Sequence, residues 1–253
     1  MKAEFSEFSF GFGFTYTLLR NLSPGIFAAP QFPSLPQEAS VAYDAKVDFL
    51  GLPLFFQFKL SDYLKHPLAR EWSDYLQPYF RFEIMPLQRS PQHNLLRAIA
   101  EVEERVYYVS PLFNSIAEFN QSFRKESITK ESIWVPVSEL PYVADYDGHC
   151  LTYTTPFEYV WRTSDRQHRR GDYSGERAAT EIQRRFTQRD LQRISRPYVS
   201  GLRSHLLRIL RERGARPLPD LPVDFGPDVE GVRDISYLLT TFFGCELVVL
   251  RAR

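Results

Sequence analysis

The chain has 253 residues, of which 43% are hydrophobic and 25% charged, with 31 basic and 31 acidic side chains. That balance belongs to a folded protein and excludes the disordered and collagen-like classes. No run of about 18 apolar residues occurs and MKAEFSEFSF lacks the basic start and apolar stretch of a signal peptide, so a cytoplasmic protein with no membrane partner is expected.

The neutral total conceals an asymmetry. Residues 162–216 hold 15 arginines, no lysine and 6 acids, a net +9 that the rest of the chain balances. Guanidinium groups match phosphate with a planar fork, so nucleic acid is the polyanion to expect, DNA before RNA. The competing reading is an arginine-coded surface that solvates itself or pairs with the acidic first half. Cys150 and Cys245 lie far apart with no CxxC, which supports neither a disulfide framework nor a zinc knuckle.

In chain order, Phe5 to Leu19 reads two ways. Phe8, Phe10, Phe12, Phe14 and Tyr16 alternate like a strand, which periodicity slightly favours, while Phe5, Phe8, Phe12, Tyr16 and Leu19 share a helical stripe. GFGF at 11–14 has no phosphate-loop pattern. Four prolines between Ser23 and Pro36 make an extended connection. Val41 to Leu60 then reads as two strands turning at Gly51 and Pro53, the second almost uniformly apolar and hence central and buried on both sides. A turn there sets Asp44 opposite Lys59 and Lys46 opposite Gln57, gathering an acid, an amide and an ammonium on one patch. The bland alternative is a cross-strand ion pair worth about 0.2–1 kcal/mol.

Tyr79–Met85 is expected as a strand, 91–104 as a helix, 106–109 as a strand, 112–124 as a helix and 133–137 as a strand. Their alternation implies a mixed α/β sheet covered by helices. Past Gly148 the character changes, which suggests a core over 1–150 and a mainly helical, Arg-rich region over 151–253. In that region a short β segment near 151–161 precedes helices at about 175–194 and 196–213. Leu238–Leu250 closes the chain as a helix or a strand pair. On the second Arg-rich helix Arg196, Arg203 and Arg211 fall along one stripe, the candidate phosphate contacts.

Glu7 in an N-terminal element, Asp44 on a strand and Gln57-Phe58-Lys59 on the next, followed by a helix and a strand, resemble the PD-(D/E)xK nuclease superfamily in its divergent Q-x-K form. The resemblance spans about residues 1–110. It implies a restriction-endonuclease-like sheet, with residues 4–20 helical so as to bring Glu7 toward Asp44, and a bacterial defence setting, with a protein partner in a defence complex. It also implies Mg²⁺ or Mn²⁺ held by Asp44, Gln57 and Glu7, with Lys59 orienting or deprotonating the attacking water. A neutral Gln57 supplies less charge and favours one metal over two. Glu38 is the second candidate for the extra acid, and Asp48 an exposed alternative to Asp44. A catalytically inactive subunit that binds nucleic acid or a protein is the competing function. His93 and Gln92 could touch phosphate at a helix start, although a capping or surface histidine is the ordinary reading, and His149-Cys150 lacks the third group of a thiol-based site.

Overall fold

The computed structural model describes residues 1–21, 48–144, 148–154, 158–162, 166–169, 171–213 and 235–251. Its elements alternate: α1 Glu7–Asn21, β1 Asp48–Phe58, β2 Asp62–Leu64, α2 Trp72–Tyr75, β3 Tyr79–Ile84, α3 Gln92–Ile99, β4 Val106–Pro111, α4 Ile116–Arg124 and β5 Ser132–Pro136. The second half adds β6 His149–Thr154, β7 Glu158–Arg162, β8 Arg166–Arg169, α5 Gly175–Thr187, β9 Gln192–Ser195, α6 Arg196–Arg213 and β10 Glu246–Arg251.

The strands form two five-stranded sheets. The first is mixed: β10 and β9 pair with β1 antiparallel, β4 pairs with β1 parallel, and β5 pairs with β4 antiparallel. The second, β2-β3-β6-β7-β8, is wholly antiparallel. Position 150 lies within β6, and both sheets take strands from either side of it. The fold is thus a mixed α/β architecture whose central mixed sheet is flanked by helices.

β1 is the middle of that arrangement. Every residue from Gly51 to Phe58 is buried. Leu54, Phe56 and Phe58 join the core on the α1 side, whereas Phe55 joins the core containing α3, α6 and the second sheet. The burial expected of this strand is therefore present, but the expected turn is not. β1 runs straight through Gly51 and Pro53 as one strand of 11 residues, so the hairpin register that set Asp44 against Lys59 does not form. The reason lies in the neighbours. β9 pairs with Asp48–Gly51 and β4 with Phe55–Phe58, leaving Pro53 in the gap between them, where the N–H that proline lacks is not needed. The carbonyl of Pro53 accepts a bond from Arg105 Nε, just ahead of β4, at 3.2 Å. Asp44 and Glu38 lie outside the described residues, as does the side chain of Asp48.

α1 is a helix, against its strand-like alternation and as the family resemblance implies. Phe10, Phe14 and Leu18 are fully buried, and Phe14 contacts Phe56, Phe58 and Trp134 at ring-centroid distances of 5.2, 5.3 and 4.9 Å. Glycine allows the helix this close: a Cβ on Gly11 would sit 2.8 Å from the Phe58 ring, and one on Gly13 2.8 Å from Ile128 Cδ1. Two further boundaries shift. The helix starting near 91 stops at Ile99 rather than 104, and the helix expected to reach 194 ends at Thr187, yielding to β9.

Two alanine substitutions should therefore act in opposite directions. Gly201 is exposed in α6 with nothing within 4 Å of an added Cβ, so Gly201→Ala should raise stability by about 0.5–1 kcal/mol. Gly11→Ala gains the same helix propensity but collides with Phe58, and should lower stability by about 1–3 kcal/mol in denaturant titrations.

Candidate functional site

The site gathers at the C-terminal end of β1. Alternation along the strand turns Gln57 to the face opposite Phe56 and Phe58. Gln57 is 5% exposed; its Nε2 donates to the Phe58 carbonyl at 3.3 Å, and its Oε1 is buried without a hydrogen-bond partner among the described residues. Leaving such an acceptor unsatisfied costs about 1–3 kcal/mol, which an apolar side chain in the same place would avoid.

Lys59 follows, its backbone N–H donating to the Val109 carbonyl at 2.9 Å as β1 gives way to the next connection. The ammonium donates to Gln92 Oε1, at the first residue of α3, at 3.5 Å. Lys59 as a residue is half-buried, yet its amine is drawn in far enough that desolvation pulls its pKa below the ordinary 10.5, with the Glu7 carboxylate opposing the shift. The site is completed from far along the chain. Gly244, with φ +56°, ends the helical turn Leu239–Phe243, and a Cβ there would lie 1.9 Å from Gln92 Nε2 and 3.2 Å from Gln57 Oε1.

Of the residues expected to converge, the fold brings Lys59 to the Gln92 carboxamide, sets Gln57 Oε1 beside the space at Gly244 that this carboxamide fills, and places Glu7, in the first turn of α1, within electrostatic range of the lysine. The Glu7 side chain is exposed. Among the described residues no three His, Cys, Asp or Glu side chains cluster as a metal site would require. On α6, Arg196 and Arg211 are exposed and Arg203 is half-buried, while Leu202, Leu206, Ile209 and Leu210 face the core. Arginines of α5 carry acids of their own: Arg184 and Arg185 both bind Glu181, at 2.7 and 2.9 Å.

His93 departs from both of its readings, as neither a surface group nor a phosphate contact. It is 3% exposed, ring-stacked with Tyr108 and Trp161, with Nδ1 3.0 Å from the Tyr108 hydroxyl and Nε2 2.9 Å from the Pro141 carbonyl. A neutral ring satisfies both contacts, its Nε2–H donating to Pro141 and its Nδ1 accepting from Tyr108. Burial above all pushes its pKa down to about 4, helped by His149, Arg97 and Lys59. His149 stacks on the other ring contact, Trp161, and Cys150 lies on β6 with its thiol pushed up by burial.

Comparison with protein-family models, with curated proteins and with solved structures finds no match to this chain. The site therefore stands on its own chemistry. Sequence reasoning missed Gly244 altogether and saw Gln92 only as a phosphate contact. It also missed Glu246, directly opposite Phe56 on β10, whose carboxyl burial pushes up to about 7. A helix-stopping glycine preceding an apolar strand was the available signal for Gly244.

His93 gives the site's surroundings a pH signature. Its folded pKa of about 4 lies below the ordinary 6.5, so the unfolded chain takes up the proton first and stability falls as pH drops through that window. Wild type should lose on the order of 3 kcal/mol between neutral pH and pH ~4 that the His93→Gln variant does not lose, measured by denaturation at each pH.

Proposed function

We propose that the chain is a metal-dependent nuclease of restriction-endonuclease-like fold, hydrolysing phosphodiesters in nucleic acid, DNA before RNA, in a bacterial defence setting. One observation carries the reading. The carbonyl oxygen of Gln57, without a hydrogen-bond partner among the described residues, and the inward-drawn ammonium of Lys59, bonded to Gln92, lie at the end of a strand otherwise made for burial, the former bordering the space at Gly244 that the Gln92 carboxamide fills. Both groups cost stability where they are, and perturbed polar groups of this kind concentrate at functional sites.

The oxygen of Gln57 suits a hard divalent cation, which takes oxygen ligands and keeps several waters. Glu7 and Asp44 are the carboxylates that would join it, Mg²⁺ or Mn²⁺ supplying charge to the scissile phosphate and acidity to a water. Lys59 gives up its proton more readily than an exposed lysine, so it can hold a water and relieve it of a proton as attack proceeds. Affinity for the phosphate backbone comes from the Arg-rich segment, with Arg196 and Arg211 on the outer side of α6.

Incubating the protein with supercoiled plasmid and with RNA, with Mg²⁺, Mn²⁺ or EDTA, tests the reading. Metal-dependent cleavage is expected, reduced about 100-fold or more by Asp44→Ala and by Lys59→Ala. No cleavage with either metal defeats it and leaves a nucleic-acid- or protein-binding subunit, in keeping with a glutamine where the family usually has an acid. Separately, the double variant Arg196→Ala/Arg211→Ala should weaken DNA binding uniformly across sequences and flatten its salt dependence. Unchanged affinity at low salt would assign these arginines to an acidic protein surface or to solvent.

A further inference from the structure

We propose that Gln92 is the positioning residue of this site and that Gly244 is glycine because its missing side chain admits the Gln92 carboxamide. The inference rests on the reading of Lys59 and Gln57 as working groups. Its geometry stands apart from any family pattern.

Gln92 begins α3, where its backbone N–H donates to Ser90 Oγ at 3.3 Å and fixes the start of the helix. Its two amide atoms then do different things. Oε1 accepts the Lys59 ammonium, and Nε2 occupies the place where a side chain at 244 would begin. Gln92 Oε1 is the acceptor that Lys59 has among the described residues. A lysine side chain has many rotamers, so an acceptor held at the start of a helix biases where its amine spends its time. Gln57 Oε1 borders the same small space from the strand side.

Gly244 meets two demands at once. Its φ of +56° disfavours any side chain, and the space in front of it is already filled by the tip of a flexible glutamine. An alanine there would not strike a rigid wall. It would push Gln92 Nε2 aside and, with it, the acceptor of Lys59. The two residues come from α3 and from the turn ahead of β10, 152 positions apart, yet they act as one part.

The test uses the full chain, with Gln92→Ala, Gly244→Ala, Gly244→Asn and the double variant Gln92→Ala/Gly244→Ala. Two readouts separate this inference from the nuclease reading. In denaturation, Gly244→Ala should cost markedly less in the Gln92→Ala background than in wild type, because only the left-handed backbone strain remains. In plasmid cleavage with Mg²⁺, Gln92→Ala and Gly244→Ala should each lower kcat about 10- to 100-fold with little change in KM, and the double variant should be no worse than the poorer single. Asparagine tolerates the left-handed conformation but still carries a Cβ, so Gly244→Asn should lose kcat like alanine while keeping more stability. Additive stability costs, or full kcat in Gln92→Ala when Lys59→Ala is inactive, would overturn the proposal. If wild type cleaves nothing, the nuclease reading fails and the stability cycle alone decides whether Gln92 and Gly244 are coupled.

Discussion

A strand buried on both faces cannot carry polar groups without cost, and this constraint shapes the whole molecule. From Gly51 to Phe58 β1 has no exposed residue, and it exchanges backbone bonds with β10, β9 and β4. One face needs aromatic cover, which α1 supplies with Phe10 and Phe14; the other needs a second layer, which α3, α6 and the antiparallel sheet supply. Gln57 and Lys59 come at the point where this cover ends. They are the last residues of the strand's line that can meet something other than hydrocarbon.

The two sheets meet near that end through hydroxyl groups. Ser61, just past β1, shares bonds of 2.7 Å with both Ser110 on β4 and Tyr153 on β6, and the Tyr153 hydroxyl also donates to the Pro111 carbonyl at 2.8 Å. Each of the three side chains is buried, and each finds a partner in the others. A satisfied network of this kind fixes orientation in a way that apolar packing does not. It holds the turn from β1 into the second sheet, and so the exit of the chain beyond Lys59.

Much of this was legible because period and punctuation agreed. The burial of β1, the β3 and β4 strands and α6 follow directly from apolar pattern. α1 misleads for a definite reason: Phe8, Phe12 and Tyr16 form one exposed stripe and Phe10, Phe14 and Leu18 one buried stripe, each at helical spacing but offset by two, and together they imitate a strand. Gly51 and Pro53 mislead because a sequence shows a breaker but not the change of neighbour strand that makes it harmless. Within the site, Gln57 and Lys59 were readable from two positions of one strand, whereas Gln92 and Gly244 were not. Their part depends on a tertiary contact between α3 and the turn before β10, and no local pattern encodes that.

The placement of β10 has a consequence for how the protein is made. Its register sets Phe56 against Glu246, so an apolar strand made early must wait for a partner made 190 residues later. At about 5–20 residues per second that is roughly 10–40 seconds. During that interval the nascent chain holds a sticky, unpaired strand edge and an open site without Gly244. A polypeptide interrupted before Gly244 carries Gln57 and Lys59 but not the turn that packs against the Gln92 carboxamide beside them.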